Sequence, residues 1–443
     1  MNAEIRQIKT AAEQGLAEAF SRVRASLPGA GDVAALRDRA FSEFEARGLP
    51  HRRVEAWKYT DLRALMREAK PLAAPPDART KERAQQADTL VGDIDRRRVV
   101  FVDGTFVPEL SDLARLEGGL SIRPMAEALA QGDPLVTKHL GKVAANDDVA
   151  VALNTAFMGD GALIHIAEGI VVEHPIHLIF ITASEKPSAE FMRSLVVVER
   201  GARAMLVESY VGPPGQDYQI NSALELVIAD DAHVDHIKLI GEGSDALHVS
   251  SLMASVGAHA RFNDFTFTTG GLTVRNQLFV NFNGEQTIAR LHGANLLKNR
   301  QHADTTLVAT HAVGHCQSRE LFKSVLDGES RGVFQGKIIV QPHAQKTDAK
   351  MLANALLLSE NAEADAKPEL EIFADDVVCG HGATAGALDE ELLFYLRARG
   401  IPPKEAEALL IQAFIGDAVE GIEHAGLREV LMESVVAWLA ARG

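Results

Sequence analysis

The sequence predicts a mainly β protein: a parallel β-helix core with α-helical regions at both ends. Three observations carry this. Short β-rich runs fill residues 146–385. A turn-like pentad recurs among them at a spacing of about 26–30 residues, which marks stacked repeating units. Amphipathic helical periodicity appears only before and after that stretch.

Residues 1–145 read as mostly helical, with a linker and one short hairpin. Ile5, Ile8, Ala12, Leu16 and Phe20 share one face of a helix over 4–24. Asp32 is the expected N-cap of a second helix over 32–47. Its apolar face is Leu36, Ala40, Phe41 and Phe44, and Gly48 followed by Pro50 ends it. The polar stretch 66–98, with prolines at 71, 75 and 76, reads as a connector. Within 96–110, Val99–Val102 form a strand, Asp103-Gly104 a tight turn, and Phe106-Val107 the return.

Residues 146–385 contain the runs LVVVE (195–199), LELVIA (224–229), FNDFTF (262–267), QLFVNF (277–282), KIIVQ (337–341) and ELEIF (369–373). The pentads are RGARA (200–204), DDAHV (230–234), GAHAR (257–261) and NGEQT (283–287), with a looser copy at ENAEA (360–364). No unit has a helical period of its own, so each coil must bury its inner face against its neighbours. A β-sandwich is the alternative that evenly spaced short strands also fit.

Residues 386–443 form a C-terminal helical domain. Leu388, Leu392, Leu393 and Leu396 share a face that stops at Gly400. Ala406, Leu409, Leu410, Ala413 and Phe414 follow i, i+3, i+4, i+7, i+8. Leu427, Leu431, Val435 and Trp438 mark a last helix over 426–441. Such helices either cap the solenoid end, which must be covered for solubility, or dock a partner.

Composition narrows the function. The chain has 443 residues and a net charge of −16, so binding driven by neutralising phosphates is not its main business. It has no run of 18 apolar residues, which predicts no membrane span. Its first residues lack the order of a secretory signal. With only Cys316 and Cys379, a disulfide framework is excluded and a cytoplasmic location is expected. Two cysteines cannot hold an all-thiolate iron–sulfur cluster. Gly336-Lys337 is followed by Ile338 and lacks the phosphate-loop pattern, so this chain is expected to bind no ATP.

The densest group of soft ligands is CGHGAT (379–384). Cys379 and His381 are two residues apart between glycines that would present them at a turn. Two ligands do not close a metal site, so the spacing leaves a structural role open. His302, Asp304, His311, His315 and Cys316 sit in the repeat texture, where inward polar residues find backbone partners. His165, His174 and His177 surround Pro175, which reads as a sheet edge.

Two longer stretches resemble one family. RRVEAWKYTDL (52–62) is similar to the N-terminal signature of the SufB/SufD family of iron–sulfur cluster assembly scaffolds, on its SufD branch. Residues 334–401 resemble the family core through the combination QKTD, KPELEI, ADDV and HGAT…FYLRARG. The SufB branch is the nearest alternative, but its chains are typically longer, richer in cysteine and often carry a CxxC-type motif. A β-helix enzyme acting on acidic polysaccharides and a hexapeptide-repeat acyltransferase are the competing classes outside the family.

The resemblance implies a right-handed parallel β-helix and a non-catalytic scaffold subunit. It implies pairing with SufB through the β-helix cores and docking of the SufC ATPase on the C-terminal helices, for which Leu409, Leu410 and Phe414 are the candidate contacts. It implies a transient iron–sulfur cluster shared with SufB, with His381, and beside it Cys379, as candidate ligands. Reduced flavin in the complex and a homodimer formed without SufB are further options that the resemblance admits.

Overall fold

The computed structural model describes residues 9–114, 116–144 and 146–442. Ile5 and Ile8 of the expected first helix lie outside the described residues. That helix runs over Ala11–Val23, where Thr10 and Glu13 exchange bonds as a capping box. The second runs over Asp32–Arg47, with one correction: Gly31 is the N-cap and makes no side-chain bond. Asp32 stands instead in the first turn, where a negative charge meets the positive end of the helix dipole.

From Ala162 to Gly386 the chain winds as a parallel solenoid of about eight coils. Successive strands alternate between a ten-stranded and a nine-stranded sheet. The expected hairpin is present, and it joins the solenoid. Arg97–Val102 pairs in parallel with Ile176–Ile181, and Leu120–Pro124 pairs antiparallel with Ala162–Ile166. Strand Ile176–Ile181 therefore lies between two neighbours, and Pro175 marks its start rather than a sheet edge.

The pentads are the corners where the chain crosses from the nine-stranded to the ten-stranded sheet. All of these corners but the last, at 373–377, hold one residue in the left-handed region: Gly169, Gly201, Asp231, His259, Gln286, His315 and Lys346, spaced by 27–32 residues. Most are not glycine, although an L-residue meets steric cost there. The strands stacked on both sides hold the turn in place. ENAEA departs from this pattern: it lies at the opposite corner, between Asp348–Leu357 and Glu363–Ile372.

Because the sheets are parallel and in register, equivalent residues stack in columns one strand spacing apart. Val256, Phe282, His311 and Val340 make one inner column. Phe101, Phe180 and Tyr210 make another, with ring centroids 5.0 and 4.7 Å apart. His311 lies flat on Phe282 at 4.2 Å and bonds Ser318, and the buried Cys316 thiol faces the Gly284 carbonyl. His177 bonds Ser209, and His302 lies 2.9 Å from the Thr60 hydroxyl. These groups are interior parts of the structure, and of their side-chain nitrogen and oxygen atoms only His311 Nδ1 is buried without a hydrogen-bond partner.

The outer faces are covered by helices. Helices Ala11–Val23, Asp32–Arg47 and Val149–Phe157 form one apolar cluster with Phe191 and Val249 of the nine-stranded sheet. The signature segment 52–62 continues along that face. Trp57 is buried, and its Nε1 donates to Asp148 at 2.8 Å. Arg275 stacks 4.4 Å above the Trp57 ring, donates to the Ala56 carbonyl and pairs with buried Asp304. Thr60 Oγ1 also donates to Asp304. The motif thus fastens the N-terminal region to the solenoid.

On the other side, helices Pro403–Val419 and Ala425–Ala440 pack on Val207, Ile237, Phe265, Leu296 and Val325 of the ten-stranded sheet. This corrects the capping expectation: the C-terminal helices lie along the solenoid's flank. Leu427, Leu431, Val435 and Trp438 are buried as expected. In the preceding helix the buried residues are Ala406, Ile411, Ile415, Ala418 and Val419, not the stripe through Leu409 and Phe414. That helix is apolar on more than one side, so periodicity could not single out the core-facing stripe.

Candidate functional site at the open end of the solenoid

The last coil consists of Glu363–Ile372 and Val378–Gly386, and among the described residues no further strand pairs with either. Inner residues that would be buried in any earlier coil are therefore uncovered. Ile372 continues the column of Val340 yet is exposed, and Phe373 beside it is 59% exposed.

Cys379 and His381 belong to this end. They lie within strand Val378–Gly386, not at a turn, and two residues apart they face the same side. Their partners in the coil below are Ala349 and Met351, both buried in the core. Both side chains thus continue inner columns at the mouth of the solenoid. Cys379 is half-buried and free of any disulfide, and burial pushes its thiol pKa up. His381 is exposed, and among the described residues no further strand covers it. The flanking Gly380 and Gly382 occupy outward positions, where Gly380 has open space around it.

The mouth leads into a cavity of about 190 Å³. Ala353, Ala355, Ala364, Ala366, Ala383 and Ala385 line it, with Phe322 and Phe334 one coil deeper. Small side chains in the last coils leave this space.

The inner column that ends at His381 runs Leu291, Glu320, Met351, His381. Glu320 is buried and neither carboxylate oxygen has a well-formed hydrogen bond. Burial pushes its pKa up to about 7, with Ser318 and Arg319 pulling weakly the other way. A carboxyl raised in the folded state stabilises most below its unfolded pKa, and that contribution is lost as pH rises toward 7. Glu320→Gln is therefore expected to raise stability at pH 8 by on the order of 2 kcal/mol and to change little at pH 4. Denaturant midpoints at the two pH values read this, and equal shifts at both would refute it.

Sequence reasoning missed Glu320 and the cavity. The corner spacing held the signal, since stepping back two coils from His381 lands on Glu320. On helix Glu390–Ala398 the apolar face read from the sequence is left open at Leu392, and Phe394, which that reading did not single out, is 73% exposed. On helix Pro403–Val419, Leu409 is exposed and Leu410 half-buried. Phe414 is half-buried beneath the Lys323 ammonium, 4.5 Å from its ring centre. The three candidate docking residues are thus not equally free. No helix among the described residues is long and apolar enough to cross a membrane.

Comparison with known proteins agrees with this architecture. Residues 180–414 match the family model described as "SUF system FeS cluster assembly, SufBD core domain", and residues 12–178 match "SufBD protein N-terminal region". The chain is 32% identical to the iron–sulfur cluster assembly protein SufD of Escherichia coli, over 88% of this chain and 89% of that protein. It is also 32% identical to a SufBD family protein of Synechocystis, over 87% of each. Identity to SufD of Bacillus subtilis is 24%, over 86% of this chain and 88% of the relative. With both family regions matched and both sheets built as one solenoid, the chain belongs to the SufBD family of iron–sulfur cluster assembly proteins.

Proposed function

We propose that this chain is a non-catalytic scaffold subunit that pairs end to end with a SufB-type chain and carries a SufC-type ATPase on its C-terminal helices. One observation carries the reading: among the described residues the solenoid ends uncapped, and Cys379 and His381 finish inner columns at that end. A partner seated there would bury Ile372 and Phe373 and enclose a thiol and an imidazole beside a small cavity. These are suitable ligands for iron, with the nascent cluster as cargo. Two ligands leave the remaining coordination to the partner, as two cysteines in the whole chain require.

The helical module rests on the flank of the same solenoid, where Lys323 bonds Asp417 at 2.5 Å. Force applied to helix Pro403–Val419 by a docked ATPase would reach strand Gln317–Leu326, two strands from Val378–Gly386 in the same sheet. ATP binding moves the pair only if the nucleotide-bound ATPase favours one of its arrangements.

The test is co-purification with SufB- and SufC-type chains, then anaerobic cluster reconstitution of wild type beside His381→Ala. The expected outcome is an intact complex with markedly lower iron–sulfur absorbance in the variant. Equal absorbance would place the ligands elsewhere, and failure to form any complex would overturn the scaffold reading.

A further inference from the structure

A second group of metal-type ligands lies far along the chain from the mouth, where the helical module meets the solenoid. His233 and Asp235 are two apart on strand His233–Gly241 and share its outer face. Glu423 reaches them from the turn between helices Pro403–Val419 and Ala425–Ala440. His233 Nε2 is 3.6 Å from Asp235 Oδ2 and 4.0 Å from Glu423 Oε1, and one ligand atom from each of the three lies within 4.8 Å of the others. Donors held about 2.0–2.2 Å from a tetrahedral cation stand a little over 3 Å apart, so small rotations of the side chains close the set.

The surroundings support positive charge at this point. Asn263 Nδ2 donates to Asp235 Oδ1 at 2.7 Å and fixes the carboxylate, as outer partners of metal ligands do. The Glu423 turn is itself held, since Arg428 donates to the Ile422 and Glu423 carbonyls. Without a cation these three groups form an ion triad. With one, they form a bridge between strand and turn.

We propose that His233, Asp235 and Glu423 bind a first-row divalent cation that staples the C-terminal helical module to the solenoid. One imidazole and two carboxylates suit zinc and ferrous iron alike, with water completing the shell. The staple lies on strand His233–Gly241, whereas the Lys323–Asp417 bond grips strand Gln317–Leu326 further along the same sheet. An occupied site would hold the module at two places and make it a stiffer lever. This goes beyond the scaffold reading and does not depend on it.

The test uses the full chain in a Cys379→Ser, His381→Ala background, so that the mouth cannot contribute ligands. Co²⁺ is titrated anaerobically and followed by its visible absorption, with Zn²⁺ and Fe²⁺ as competing ions that distinguish the two sources. About one equivalent should bind per chain. His233→Ala and Glu423→Gln should each weaken binding by at least about tenfold, whereas His343→Ala, at an exposed position elsewhere, should not. The cation should also raise the melting temperature of the background protein and not that of Glu423→Gln. Retained binding in both ligand variants, equal loss in the His343 variant, or uptake of none of the three ions would reduce the cluster to an ion triad and overturn the proposal.

Discussion

Arg275→Ala is expected to destabilise the protein by about 3–5 kcal/mol, the cost of stranding a buried charge. Asp304 is fully buried and Arg275 is its charge partner. The same guanidinium stacks on Trp57 and bonds the Ala56 carbonyl, so the substitution also loosens the N-terminal segment. Thr60 and Gln335 still donate to Asp304, but neither neutralises it. Denaturant unfolding reads the loss. Adding Asp304→Leu to an Arg275→Met variant should recover much of it, because the pair is then replaced by apolar volume. A loss below about 1 kcal/mol for the single variant would mean that Asp304 reaches water or another cation.

Ile372→Lys combined with Phe373→Lys is expected to weaken pairing with a SufB-type chain at least about a hundredfold, or roughly 2.7 kcal/mol. Both side chains are exposed in the isolated chain, so charge there costs the fold little. In a paired state they would lie under the partner, and two ammonium groups would be buried unpaired. Analytical ultracentrifugation of mixtures, with circular dichroism of each variant alone, separates the two effects. Undiminished pairing by a well-folded variant would move the interface away from the open end.

Much of the fold was legible because a solenoid writes its geometry into one repeat. The pentads at 200–204, 230–234, 257–261 and 283–287 mark corners where one residue adopts the left-handed conformation, so a period in sequence becomes a period in space. ENAEA misled because opposite corners of one coil use similar small and polar residues. The last helix was readable through Leu427, Leu431, Val435 and Trp438, which form one stripe. Its neighbour was not, since Leu409, Leu410 and Phe414 are as apolar as the buried Ile411 and Ile415.

The site was legible in part for a related reason. Cys379 and His381 stood out as soft ligands, but their setting in a strand at an open end depends on where the repeats stop. Glycines on either side suggested a turn, whereas strand pairing overrides that local preference. Glu320 had no local signal, because only the stacking of coils brings it into the column of His381.

The open end has one more property, which concerns the backbone. Strands Glu363–Ile372 and Val378–Gly386 each end a sheet, so each turns a row of amide and carbonyl groups along the solenoid axis toward whatever comes next. Such rows recruit extended chains indiscriminately unless they are guarded. Here Pro368 removes one donor, Lys367, Glu369 and Glu371 set charges along one strand, and Gly380, Gly382 and Gly386 weaken the other. A loose peptide could satisfy one rim at most. The end therefore favours a visitor that offers two parallel edges at once, held at the separation of the two sheets, so that recognition begins in the main chain before any side chain is read.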